Sequence, residues 1–80
     1  MSKEYYKKRI IDLRAQLVKE RESKKHDNAY YAERIKHEST TRGKASYRKK
    51  KVDKAASHDR KIESLKYEIV KAREQLKREK

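Results

Sequence analysis

Apolar residues recur along the first half of the chain at Tyr6, Ile10, Leu13 and Leu17, in steps of four, three and four. The stripe resumes at Tyr31 and Ile35, with Ala29, Tyr30 and Ala32 beside it. Between these stretches it passes through Lys24 and Asn28, so the seam is weak there. In the second half Ile62, Leu65, Ile69, Ala72 and Leu76 step three, four, three and four, and Val52 and Ala55 extend that line backwards. Both halves fit a helix of 3.6 residues per turn, and neither alternates as a half-buried strand would.

The stretch "ESTTRG", residues 38–43, separates the halves. Ser39, Thr40 and Thr41 are poor helix-interior residues, because their hydroxyls compete for backbone groups and threonine is stiff at χ1. Gly43 is placed to end the first helix in a left-handed conformation, and Ser46 to cap the second. Ser2 begins the first helix, with Glu4 in its opening turn where the dipole favours an anion. The pattern predicts helices over about 3–38 and 46–79, with a bend over 39–45, in one domain spanning residues 1–80.

A single continuous helix is the alternative, and the heptad phase weighs against it. With Ile10 at position a, Ile62, Ile69 and Leu76 fall at d, but Leu65 and Ala72 fall at g. An antiparallel return repairs the seam, placing Leu17 near Leu65, Leu13 near Ile69, Ile10 near Ala72 and Tyr31 near Val52. The expected fold is therefore all-α, a coiled-coil-like hairpin of two long antiparallel helices. Below about 80 residues a lone core seldom supplies more than ~3–5 kcal/mol. Two helices also leave each stripe half uncovered, since burial needs a second layer. We therefore expect a four-helix bundle completed by a helical partner or a second copy. The contact stripe would be Tyr6, Ile10, Leu13, Leu17, Tyr31, Ile35, Val52, Ile62, Leu65, Ile69 and Leu76.

Composition agrees with long helices: 49% of the residues are charged, and proline and cysteine are absent. Without cysteine there is no disulfide framework and no thiolate metal site. No run of Ile, Leu and Val exceeds pairs such as Ile10–Ile11 and Leu17–Val18, too short for a membrane span or a signal-peptide core, so a cytoplasmic chain is expected.

The formal net charge of +13 points to anionic partners. Residues 39–60 carry eight cations against two anions. Within them Arg42, Lys44, Arg48, Lys49, Lys50, Lys51 and Lys54 face one anion, Asp53, with Tyr47 among them. Cations can neutralise phosphates and a tyrosine can stack on a base, so a nucleic-acid-binding hairpin is the rival reading. No helix-turn-helix, zinc-finger or RNP pattern accompanies this segment.

"YYKKRI" at residues 5–10 recurs as "YYAERI" at 30–35, almost seven helical turns later. Packing explains the repeat: one tyrosine of each pair lies in the seam, while its neighbour covers the flank with its hydroxyl in water. His26 and His58 would lie close in a hairpin, beside Asp27 and Asp59. Their spacing has no zinc signature, so a polar layer fixing register is expected and no metal or other cofactor. The acids Glu63, Glu68 and Glu74 sit beside lysines at helical spacing, as surface ion pairs do. There is no nucleophile with a base, no glycine-rich phosphate loop, and too short a chain for a water-excluding pocket, so catalysis is not expected.

The opening "MSKEYYKKRIIDLRAQL", and the two amphipathic halves around a central glycine, resemble the WXG100 (ESX) family of type VII secretion, more specifically the small helical proteins found beside LXG toxins. The resemblance implies a helical hairpin that pairs into a four-helix bundle and acts as a substrate or a toxin-binding partner. The chain departs from that family's pattern at the turn, where Thr41, Arg42 and Gly43 stand in place of Trp-x-Gly. It also lacks the Tyr-x-x-x-Asp/Glu export motif; Tyr67, for instance, has Lys71 four residues on. A role in secretion would then be that of an accessory bound to a partner carrying the signal.

Overall fold

The computed structural model describes residues 2–79, and they form the expected hairpin: helix α1, Lys3–His37, returns antiparallel as helix α2, Thr41–Arg78. No strand occurs among the described residues. The molecule is a rod of 62 × 14 × 12 Å with a radius of gyration of 18.1 Å. A globular chain of this length would have a radius near 12 Å. Ser2 caps α1, its Oγ accepting a hydrogen bond from the Tyr5 backbone N–H at 3.3 Å.

The bend is shorter than the sequence pattern predicts. It comprises residues 38–40 rather than 39–45, and α2 is capped by Thr40, not Ser46, which lies inside the helix. The Glu38 N–H closes α1 onto the Arg34 carbonyl at 3.0 Å. The Glu38 carboxylate then accepts from both the N–H and the hydroxyl of Thr40, each at 3.1 Å. Thr40 Oγ1 in turn accepts from the Gly43 N–H at 3.0 Å. These bonds, led by the Thr40 backbone N–H, hold the Glu38 carboxyl below its ordinary value.

Gly43 therefore does not end α1. It lies in the first turn of α2, and its φ is not positive. The reason for a glycine is close approach: a Cβ there would stand 2.5 Å from Glu38 Cδ and 2.6 Å from its Cγ. Gly43 makes room for the acid that locks the bend.

The core consists of Ile10, Leu13, Leu17, Ile62, Ile69 and Ala72, with Leu65 and Leu76 packed against it. All of these lie in the half of the rod remote from the bend. Midway, where the seam was expected to weaken, Glu20, Lys24, Asp27, Asn28, Ser57 and His58 are half-buried. Nearer the bend Tyr31 meets Tyr47 with ring centroids 6.5 Å apart.

Val52, expected in the seam opposite Tyr31, is 66% exposed. The half-buried seam of α2 runs through Tyr47, Lys51, Ala55 and His58, and the step from Lys51 to Val52 turns Val52 away from α1. Lys51 can take the seam position because its aliphatic stem packs while its ammonium stays in water.

Candidate functional site: an apolar flank framed by cations

Of the expected contact stripe, Ile10, Leu13, Leu17, Ile62 and Ile69 are buried between the two helices. Leu65, Leu76, Tyr6, Tyr31 and Ile35 are half-buried, and Val52 is exposed. The buried members hold α1 to α2, so a partner meets whatever apolar surface remains outside them. That surface lies outside the expected stripe: Ile11 is 66% exposed, Val18 54% and Val70 50%.

A sequence signal for it existed. Each of these residues directly follows a buried one, in the doublets Ile10–Ile11, Leu17–Val18 and Ile69–Val70. One residue further along a helix is a turn of about 100°. Seen from one end, antiparallel helices wind in opposite senses, so this step leads to the same side of the hairpin on both. Val52, following Lys51, belongs to that side as well.

Two open grooves mark the flank. Nearest the termini, Lys7, Ile10, Ile11, Arg14, Arg73, Leu76 and Lys77 line a groove of about 460 Å³. Towards the bend, Asn28, Ile35, Arg48, Lys51, Val52 and Ala55 line one of about 450 Å³. Neither lining contains an acidic residue. The opposite flank is different in kind. There Arg9 pairs with Glu68 at 3.7 Å, and the grooves are lined by tyrosines, glutamines, lysines and acids together.

The cationic segment forms the first four turns of α2 rather than a loop. Arg42, Arg48, Lys49, Lys50 and Lys54 are exposed, while Lys44, Lys51 and Tyr47 are half-buried. No acid lies in the first turn of α2. None of the seven cations has an ion pair among the described residues. They point around the helix in several directions and do not share one face. The Tyr47 ring is engaged within the protein, against Tyr31 and beneath the Lys50 ammonium 5.5 Å from its centroid.

The tyrosine repeat is structural. Tyr5 and Tyr6 meet edge to face at 5.1 Å, and Tyr30 and Tyr31 repeat that geometry at 5.1 Å. In each pair the second ring is half-buried in the seam and the first is 47% exposed outside it. Arg34 covers the Tyr30 ring at 5.3 Å and donates from Nε to its hydroxyl oxygen at 3.3 Å.

The polar layer has other members than the sequence pairing implies. His58 contacts Glu20 through Nδ1, and Asp27 through Nε2 at 2.6 Å. His26 is exposed, and Asp59 pairs instead with Lys24 at 2.6 Å. Two carboxylates on one imidazole are both satisfied only when both ring nitrogens carry protons. The hydrogen bond to Asp27, then that to Glu20, raises the His58 pKa above its ordinary 6.5, and the same His58 bond lowers that of Asp27 below 3.8. With both nitrogens so used, His58 is a register pin across the two helices. No cluster of three or more acidic or histidine side chains suited to a metal ion occurs among the described residues. Among the described residues no helix is long and apolar enough to cross a membrane.

No family model, curated protein or solved structure matches the chain.

Proposed function

We propose that this chain is a non-enzymatic binding module whose hairpin takes up a partner helix along the flank of Ile11, Val18 and Val70. The observation that carries the reading is the exposure of those three side chains, at 50–66%, on the flank whose groove nearest the termini is lined by Ile10, Ile11 and Leu76. A rod two helices wide leaves such a face uncovered, and a third helix laid into the groove supplies the missing layer. Helix-in-groove recognition uses apolar anchors at this spacing, one or two turns apart. Accompanying a secreted protein, as the resemblance to type VII secretion partners implies, is one form of this role.

A second reading has its own support. The unpaired cations at the start of α2 suit a phosphate-bearing strand, and the hairpin would then bind nucleic acid through Arg42, Lys44, Arg48, Lys49, Lys50, Lys51 and Lys54.

Titration of the full chain separates the two. Helix docking predicts saturable binding of an amphipathic helical peptide, a rise in Tm with peptide concentration, and affinity that survives added salt. Nucleic-acid binding predicts affinity for oligonucleotides that falls steeply with salt and is lost when the α2 cations are reversed. If no helical peptide of any charge binds or raises Tm, the docking reading fails.

A further inference from the structure

We infer that the partner of the Ile11–Val18–Val70 flank is an acidic amphipathic helix, and not a second copy of this chain. The inference rests on the helix-docking reading and names the partner's chemistry. In the groove nearest the termini the apolar lining is Ile10, Ile11 and Leu76, and every charged residue of the lining is a cation. Arg14, Arg73 and Lys77 have no ion pair among the described residues. Lys7 has only Glu4, at 3.7 Å, on a side chain 86% exposed.

Cations therefore stand on both helices, with apolar surface between them. A helix lying in the groove presents its apolar stripe to that surface and its flanking positions to Lys7 and Arg14 on one side and Arg73 and Lys77 on the other. Carboxylates at those flanking positions pair with the cations, and lysines there are repelled. A second copy fails this requirement. A two-fold contact sets the same patch against itself, bringing arginine and lysine onto arginine and lysine. Phosphate backbones meet the charge but leave Ile11 and Leu76 uncovered. A bilayer offers no ridge for a concave groove, and the chain has no Trp or Phe, residues typical of interfacial helices.

The test uses the full chain and two designed helical peptides with the same leucine stripe, one flanked by glutamates and one by lysines. Binding is read by fluorescence anisotropy in about 0.15 M salt, where the Debye length is about 8 Å. The acidic peptide is expected to bind at least about tenfold tighter than the basic one, a difference of ~1.4 kcal/mol. Val18→Asp with Val70→Asp, and separately Arg14→Glu with Arg73→Glu, should each weaken it by about tenfold or more. Lys19→Glu with Lys61→Glu, on the opposite flank, should leave it within about threefold. All these positions are exposed, and circular dichroism verifies that each variant keeps its helix content.

Equal binding of both peptides overturns the acidic-partner inference while the docking reading stands; binding of neither overturns both. Binding of the acidic peptide that the Val18 and Val70 changes leave intact also overturns the inference, as simple charge attraction. Sedimentation showing a dimer that those changes dissociate identifies a second copy instead. Phosphatidylserine vesicles or oligonucleotides that displace the acidic peptide from this flank would equally sink it.

Discussion

The two halves of the rod are held together by different means. In the half carrying the termini, Ile10, Leu13 and Leu17 interlock with Ile62, Ile69 and Ala72, and Leu13 is only 1% exposed. In the half carrying the bend, none of the described residues is buried to that degree. Contact there runs through Lys24–Asp59, the His58 layer and the Tyr31–Tyr47 pair. Apolar burial is strong but nondirectional, so it supplies cohesion to one half without choosing a register. Hydrogen-bonded charges contribute less net stability and are unforgiving of misalignment, so the middle layer penalises a shifted register.

The two halves differ most at Leu13, the most deeply buried of the core residues. Leu13→Ala should cost about 2–5 kcal/mol, the range for truncating a well-packed core leucine, whereas Ile35→Ala in the bend half should cost clearly less. Urea denaturation measures both, and equal losses would show that the halves are not unequal after all. Native-state hydrogen exchange sharpens the point, with amides of residues 25–55 expected to open before those around Leu13 and Ile69.

His58→Ala should cost about 1–3 kcal/mol, since it removes the imidazole that Glu20 and Asp27 both contact. Its pH signature is more specific. A raised folded pKa means that the imidazolium's contribution is fully present below pH 6.5 and is lost as pH rises through the folded value. Asp27, whose pKa is lowered, contributes above pH 3.8 and loses that contribution as pH falls through its folded value. Thermal melts should therefore show the layer strongest between these limits, with Tm declining above pH 6.5. In His58→Ala that decline should vanish; if it persists, another group is responsible.

At the bend, Thr40→Ala should cost about 1 kcal/mol through loss of the N-cap. Gly43→Ala should have a smaller net effect, because the helix-propensity gain of up to ~1 kcal/mol opposes displacement of Glu38 from Thr40. A Gly43→Ala variant clearly more stable than the parent would show that the Glu38 contact contributes little. The smallest effect is expected at Arg9. Its pairing with Glu68 spans 3.7 Å between side chains about 45% exposed. Arg9→Ala should thus shift stability by less than about 1 kcal/mol, and high salt should erase the difference.

Much of this architecture is legible in the chain itself, and the misreadings are instructive. The steps through Ile10, Leu13 and Leu17 and through Ile62, Leu65 and Ile69 identify both helices and their mutual face. Thr40 was legible in principle as an N-cap, but Ser46 and Gly43 carry equally good local signals. What decides between them is whether the side chain of Glu38 occupies the space over residue 43, and only the folded bend shows it there. Val52 misleads because an apolar residue three positions before Ala55 fits the heptad on paper, while the stem of Lys51 fills the same seam.

By itself, the sequence determined two amphipathic helices, their antiparallel closure and an excess of positive charge. Periodicity and charge are local properties, readable one helix at a time. The tertiary structure alone decided which carboxylates meet His58, and which apolar residues would be left outside. Both depend on the rotation of one helix against the other. That rotation buries Ile10 and exposes Ile11, brings Glu20 and Asp27 onto His58, and sets Arg14 across a groove from Arg73.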